Sequence, residues 1–249
     1  MPCPSLTIAI DGPSGSGKSS VSRAVATRLG LRYLDTGAMY RALTWAALED
    51  GVELSDQAAV AARSADLALH VDTDPAAPVV QVGTVDVSHA IRQPRISAAV
   101  SAVATNLDVR SDMRRRQRSL IAAARAQGTG IVVEGRDITT VVAPDAEHRI
   151  LLSASEQTRL ARRARELAQG QVHQSEDDTR DQVLRRDRDD ATVSAFFEPA
   201  DGVIGIDTSR MTFDEVVAAV LAIVHPAADD LPHSPTDAIP MHTPDEGAR

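Results

Sequence analysis

A single lysine constrains this chain more than any other residue. Of 26 basic residues, Lys18 is the one lysine, and the other 25 are arginine. It stands in Gly12-Pro13-Ser14-Gly15-Ser16-Gly17-Lys18-Ser19, directly after the apolar run Leu6 to Ile10 and at the head of an Ala-rich amphipathic stretch, Lys18 to Leu29. The spacing G-x-x-x-x-G-K-[ST], set between a buried strand and a helix, describes a phosphate-binding corner. Gly12 and Gly17 tolerate positive φ and let backbone amides face an anion, and the helix start adds its positive end. In that setting Lys18 bridges the β- and γ-phosphates of a nucleoside triphosphate, and Ser19 offers its hydroxyl to a magnesium ion held with them. A compact ammonium fits between crowded phosphate oxygens better than a planar guanidinium, which accounts for the exceptional lysine. Pro13, Ser14, Gly15, Ser16 and Ser20 complete the nucleotide-binding candidates.

The rest of the chain suits such a corner. Short apolar runs alternate with longer Ala-rich stretches, the pattern of βαβ units around a parallel sheet, with no internal repeat. Strands are expected at Leu6 to Ile10, Ile131 to Glu134, Arg149 to Leu152 and Gly202 to Ile206, with a weaker one at Leu31 to Leu34. Helices are expected at Lys18 to Leu29, Ala38 to Glu49, Val100 to Gln127 with a break near Asn106, Glu156 to Ala168, and Phe213 to Val224. Ser153 with Glu156, and Thr212 with Glu215, read as capping boxes. Between Leu67 and Arg92, β-branched residues (Leu69 to Asp72, Val79 to Val87) suggest a small antiparallel sheet forming a separate lobe. From Pro226 to Arg249 the chain is rich in Pro, Asp, Thr and His without an apolar period, which reads as a disordered tail.

Composition narrows the function. With 35 acidic residues against 26 basic ones, a net charge of -9 argues against a protein that coats nucleic acid or anionic membrane. The lone Cys3 excludes an internal disulfide framework and a multi-cysteine zinc site. No secretory signal is visible, and the longest apolar stretch, Val216 to Val224, is too short to span a bilayer. The seven histidines lack ligand spacing, so any metal is expected to arrive with phosphates. Guanine recognition through Asn-Lys-x-Asp is excluded, because the only asparagine, Asn106, precedes Leu107.

Three clusters pair arginine with acid. Asp35-Thr36-Gly37-Ala38-Met39-Tyr40-Arg41 follows the second strand, and reads either as a capped helix start or as an arginine set over an anionic substrate. Glu134-Gly135-Arg136-Asp137 closes an apolar run at the strand end that borders the ligand crevice of a parallel sheet, where a structural ion pair is the competing reading. The third cluster comprises Arg159, Arg162 and Arg163, then Arg185-Arg186-Asp187-Arg188-Asp189-Asp190. Periodicity alone reads it as two solvent-facing helices, whereas phosphoryl transfer requires cations that close over the site. Met113 to Arg118 reads as a solvated helix face rather than a nucleic-acid patch.

Taken together in order, these residues resemble the bacterial cytidylate kinases, P-loop nucleoside monophosphate kinases, from about Leu6 to Val224. The resemblance also rests on Ile91-Arg92, Val100-Ser101, Val109-Arg110 and Gln117-Arg118. It implies an α/β fold: a doubly wound, five-stranded parallel sheet within a domain spanning 1–225, a monophosphate-binding insert at about 67–96 and a short lid at about 156–190. It further implies transfer of the ATP γ-phosphoryl to CMP or dCMP with Mg2+, in a cytoplasmic monomer that binds no nucleic acid and no membrane. Carried over by position, Arg41 and Arg136 hold the acceptor phosphate, Thr36 and Tyr40 line its pocket, and Ser101, Arg110 and Asp137 read the cytosine edge. Arg186 with Asp190 faces the ribose, and Arg159 and Arg163 arrive with the lid. Where many members have an arginine three residues past the lid aspartate this chain has Val193, and Phe196-Phe197 replaces Pro-Leu. Arg188 is the candidate substitute. The competing functions are another small-metabolite P-loop kinase and a nucleotide-binding protein without transferase activity.

Overall fold

The structure is a computed structural model describing residues 6–169 and 176–225. Cys3 and the tail expected at 226–249 lie outside the described residues.

Alternation of apolar residues with a period of two, covered on both faces, builds the core sheet. Strands β1 (Thr7–Asp11), β2 (Arg32–Asp35), β6 (Ile131–Gly135), β7 (His148–Ser153) and β8 (Ile204–Asp207) pair in parallel in the order β2-β6-β1-β7-β8. Ala9, Leu34, Ile131 and Val133 point to one face. They meet Met39 and Leu43 of α2 (Thr36–Glu49) and Val109 and Met113 of α5 (Leu107–Ala126). Ile8, Ile10, Val132, Ile150 and Leu152 point to the other. There they pack on Val21 and Val25 of α1 (Lys18–Leu29) and Val216, Val217 and Val220 of α8 (Phe213–Val224). Each large aliphatic side chain removed from water contributes about 1.5–3 kcal/mol, so a core nearly free of aromatics still closes both layers.

The lobe expected between Leu67 and Arg92 is a three-stranded antiparallel sheet of β3 (Leu69–Val71), β4 (Val80–Val82) and β5 (Val85–Asp86). Val80, Val87 and Ile91 seat it on Ala38 and Ala42 of α2. Arg23 of α1 ties its outer loop to the core, donating to the carbonyls of Pro75 at 2.6 Å and Ala76 at 2.8 Å.

Several boundaries differ from the sequence expectation for local reasons. The long helix is two, α4 (Pro94–Ala104) and α5, because the Asn106 side chain accepts from the amides of Asp108 and Val109 and starts a new helix. Ser153 forms no capping box, since it ends β7. The cap of α6 (Glu156–Gln169) is Ser155, whose hydroxyl accepts from Thr158 N. Thr212 and Glu215 do form theirs. Helix α3 (Gln57–Ala65) is an addition to the expected elements, a short run in which Val60 is the one large apolar side chain. The charged run after Glu176 is helix α7 (Glu176–Ala191), with Asp187 and Asp190 buried rather than solvated.

One buried carboxylate joins the sheet to the loop after β6. Asp11 accepts from Ile138 N (2.9 Å), Thr139 N (2.8 Å) and Thr139 Oγ1 (2.7 Å). Burial raises its pKa to about 6, against the lowering effect of those three donors. Replacing Asp11 by Ala leaves three buried donors unmet, so urea unfolding is expected to show a loss of about 2–4 kcal/mol. A raised acid pKa means that the folded state holds its proton longer than the unfolded one. Stability from this group is therefore full below about pH 4 and lost as pH rises through 6, and the gap between the native protein and the variant narrows from pH 4 to 7.

Candidate active site

The corner after β1 forms because Gly17 caps α1 at φ 89°, which turns the loop amides inward. A side chain at Gly12 would put its Cβ 2.3 Å from the carbonyl oxygen of Leu152 on β7, so the loop lies directly on the sheet. Ser14 to Ser20 line a cavity of about 860 Å3 together with Asp35, Arg41, Arg92, Arg162, Arg163 and Arg186. Gly12 and Pro13 are buried and do not line the cavity; the Pro13 carbonyl accepts from Lys18 Nζ at 3.4 Å. Burial lowers the Lys18 pKa to about 8. Nearby Glu134 and Asp35 oppose the shift, and Arg136 and Arg186 add to it.

Strand register sets two carboxylates beside this lysine, since Asp35 ends β2 opposite Glu134 on β6. Asp35 caps α2 by accepting from Ala38 N at 2.9 Å and pairs with Arg92 at 3.6 Å. Glu134 accepts from Tyr33 Oη at 3.1 Å and lies near the Ser19 hydroxyl. Burial raises the pKa of Glu134, and Asp35 beside it adds to the effect. The sequence reading quoted Glu134 only as a neighbour of Arg136; the signal for it is an acid at the end of a buried strand adjoining the β1 corner. Its contact with Ser19 meets the needs of a magnesium ion, which takes hard oxygen donors from one or two protein groups and the remainder from phosphates. Among the described residues no cluster of three or more His, Cys, Asp or Glu could hold a metal without phosphates.

The arginines converge from four elements. Arg41 on α2 and Arg186 on α7 both line the cavity. Among the described residues, Arg41 Nε, Arg186 Nε and Arg136 Nη2 are buried without a hydrogen-bond partner. Burial lowers the pKa of Arg41. Burial lowers that of Arg186 to about 9, with Arg41 and Arg136 adding repulsion. Arg136 does not line the cavity: its Nη1 contacts Asp187 at 2.8 Å, its Nε contacts Asp190 at 2.6 Å, and its guanidinium lies 4.5 Å over the Phe196 ring. Asp187 also pairs with Arg159 and accepts from Ser14 N at 3.1 Å, so a carboxylate on α7 takes up one loop amide. Arg159 in turn donates to the Ser14 carbonyl at 2.9 Å. Arg163 lines the cavity, and Arg162 anchors α6 by donating to Ser16 O and to Thr208.

A second group lies behind Arg136. Arg110 contacts Asp137 at 2.6 Å, Ser194 Oγ at 2.7 Å and the Ala104 carbonyl at 3.1 Å. Burial raises the Asp137 pKa against the lowering effect of Arg110. Tyr40, pushed up to about 12 by burial, hydrogen-bonds Gln117 beside this pair. Thr36 is engaged elsewhere: its hydroxyl donates to the Glu134 carbonyl at 2.8 Å and ties α2 to β6. Ser101, half-buried on α4, does not line the cavity, and Arg188 is exposed and lies outside it.

Comparison with known proteins places the chain beside one family. The family model described as cytidylate kinase matches residues 8–226. The cytidylate kinase of Streptomyces avermitilis is 43% identical over 222 residues, covering 89% of this chain and 93% of that protein. Those of Cutibacterium acnes and Nocardia farcinica are each 47% identical, covering 88% of this chain and 96% and 93% of their own lengths. A match that runs from within β1 past the end of α8, and so takes in the loop after β1, the three-stranded lobe and helices α6 and α7, shows that the chain belongs to the cytidylate kinase family.

Proposed function

We propose that this protein transfers the γ-phosphoryl group of ATP to the phosphate of CMP, and of dCMP, in a single in-line step. The observation that carries the reading is the surplus of half-buried cations. Lys18, Arg41, Arg136 and Arg186 crowd one region, and Arg41 Nε, Arg136 Nη2 and Arg186 Nε lack a hydrogen-bond partner among the described residues, with Arg186 Nε only within ion-pair reach of Asp190 at 3.6 Å. Buried like charges repel one another unless anions enter, and two phosphate groups brought together repel one another unless cations surround them. Each arrangement relieves the other.

Lys18 and the loop amides hold the donor, and Arg41, Arg136 and Arg186 meet the acceptor and offset its repulsion from the γ-phosphate. Bound magnesium, held through Ser19 and Glu134, supplies charge neutralisation on the donor phosphates. The acceptor phosphate is largely ionised near neutral pH, its second pKa being about 6, so no strong general base is needed. Arg159 and Arg163 on α6 and Asp187 on α7 close over the loop and exclude water, which keeps ATP from being hydrolysed in place of transfer. Arg110 and Asp137, with Ser101, read the base: cytosine offers an exocyclic amine beside a ring acceptor, which an acid and a guanidinium complement. We assign the lobe at about 67–96 to acceptor binding and the segment at about 156–190 to the lid, within one catalytic domain that works as a cytoplasmic monomer. No helix among the described residues is long and apolar enough to cross a membrane.

ADP release, measured with each nucleoside monophosphate in turn, tests the reading; CMP is expected to be the strongest trigger, and equal use of CMP, UMP and AMP overturns it. Lys18→Ala is expected to lower turnover by about two to four orders of magnitude with the circular dichroism spectrum unchanged. Asp137→Asn is expected to raise KM for CMP well beyond any change in KM for ATP. Because the free-enzyme ammonium of Lys18 titrates near 8 and only its charged form attracts phosphate, kcat/KM for ATP should fall as pH rises through 8. With CMP varied, it should fall below about pH 6, where the acceptor phosphate takes up its proton.

A further inference from the structure

The turn that follows α7 touches two arginines, Arg110 through Ser194 and Arg136 through Phe196. It stays wound on the helix, since Thr192 N donates to Asp189 O at 3.1 Å and Val193 N to Asp190 O at 3.2 Å. At its far end Phe196, 1% exposed, is anchored in the core against Leu151 of β7 and Val203. Between these fixed ends Ser194 presents its hydroxyl oxygen to Arg110 Nη2 at 2.7 Å.

Arg110 is thereby held from three sides, by Asp137, Ser194 and the Ala104 carbonyl. Two of these partners sit on the elements around Arg110 itself, and the third comes from the end of the lid helix. Arg136 is held in a comparable way. Asp187 and Asp190 grip its edge from α7, while the Phe196 ring lies under its plane at 4.5 Å and leaves Nη2 buried and unpaired. A flat guanidinium with one face on an aromatic ring and two nitrogens in ion pairs has little freedom to rotate, so its remaining N–H groups point in one direction.

We infer that Ser194 and Phe196 are positioning residues for the acceptor: Ser194 sets base selectivity through Arg110, and Phe196 sets acceptor-phosphate affinity through Arg136. This rests on the reading of Arg110 and Asp137 as the base-reading pair. The roles of the two residues separate cleanly. Loss of the Ser194 hydroxyl affects discrimination between bases, whereas loss of the Phe196 ring affects every monophosphate alike, because all carry the phosphate that Arg136 meets.

The test is steady-state kinetics with CMP and UMP at saturating ATP, together with thermal unfolding, for the native protein, Ser194→Ala, Ser194→Thr and Phe196→Leu. Ser194→Ala is expected to raise KM for CMP about threefold to tenfold, the range for one hydrogen bond. It should lower the CMP-to-UMP ratio of kcat/KM by a similar factor, leaving KM for ATP and Tm unchanged. Ser194→Thr restores a hydroxyl and should restore the ratio. Phe196→Leu should raise KM for both acceptors together. A native protein that does not prefer CMP overturns the base-reading pair itself. A native preference that survives Ser194→Ala overturns the role of Ser194. Unchanged acceptor KM values with a lowered Tm in Phe196→Leu make Phe196 a core residue only and overturn its role.

Discussion

Cations gathered in a buried place must each find an anion, and the arrangement of this molecule follows from that requirement. Removing a charge from water costs several kcal/mol unless it is paired. Five carboxylates answer the cations around the β1 corner: Asp35 and Glu134 at neighbouring strand ends, Asp137 on the loop that follows, and Asp187 and Asp190 on α7. They do not answer all of them. Nitrogens of Arg41, Arg136 and Arg186 are buried without a hydrogen-bond partner among the described residues, Arg186 Nε lying 3.6 Å from Asp190, and Lys18 donates to a carbonyl at 3.4 Å. On the proposed reading that remaining positive charge is what the phosphates of two nucleotides would meet, and the imbalance would supply part of their binding free energy.

The central sheet was legible in the sequence because its signals are local. Ile8, Ile10 and Val132 against Ala9, Ile131 and Val133 alternate as the covered faces require, and Thr212 with Glu215 announces a helix start by two side chains three residues apart. What escaped was decided at longer range or by weaker patterns. Helix α3 is short and has Val60 as its one large apolar side chain, and the capping role falls to Ser155 because Ser153 is still in β7.

The site was legible in parts. A motif tied to one lysine and two glycines defines its own geometry, so the loop could be read directly. The arginines were harder, since a charged helix reads as solvated until its partners are known. Asp187 illustrates why: its partners Arg136, Arg159 and Ser14 lie 51, 28 and 173 residues away, and no window along the chain contains them all. Glu134 escaped for the same reason, because its importance lies in standing across the register from Asp35 and within reach of Ser19.

On the proposed reading, water exclusion and substrate choice, usually separate demands on an enzyme, fall to one helix. Asp187 accepts from Ser14 N in the loop after β1 and also pairs with Arg136, so α7 bridges the two sides of the site. Arg41 and Arg136 repel Arg186, and Asp187 and Asp190 of α7 offset part of that repulsion. A phosphate set against Arg41 and Arg186 would offset more of it, so the charges that recognise an acceptor would also hold the helix over the γ-phosphate and keep water from it.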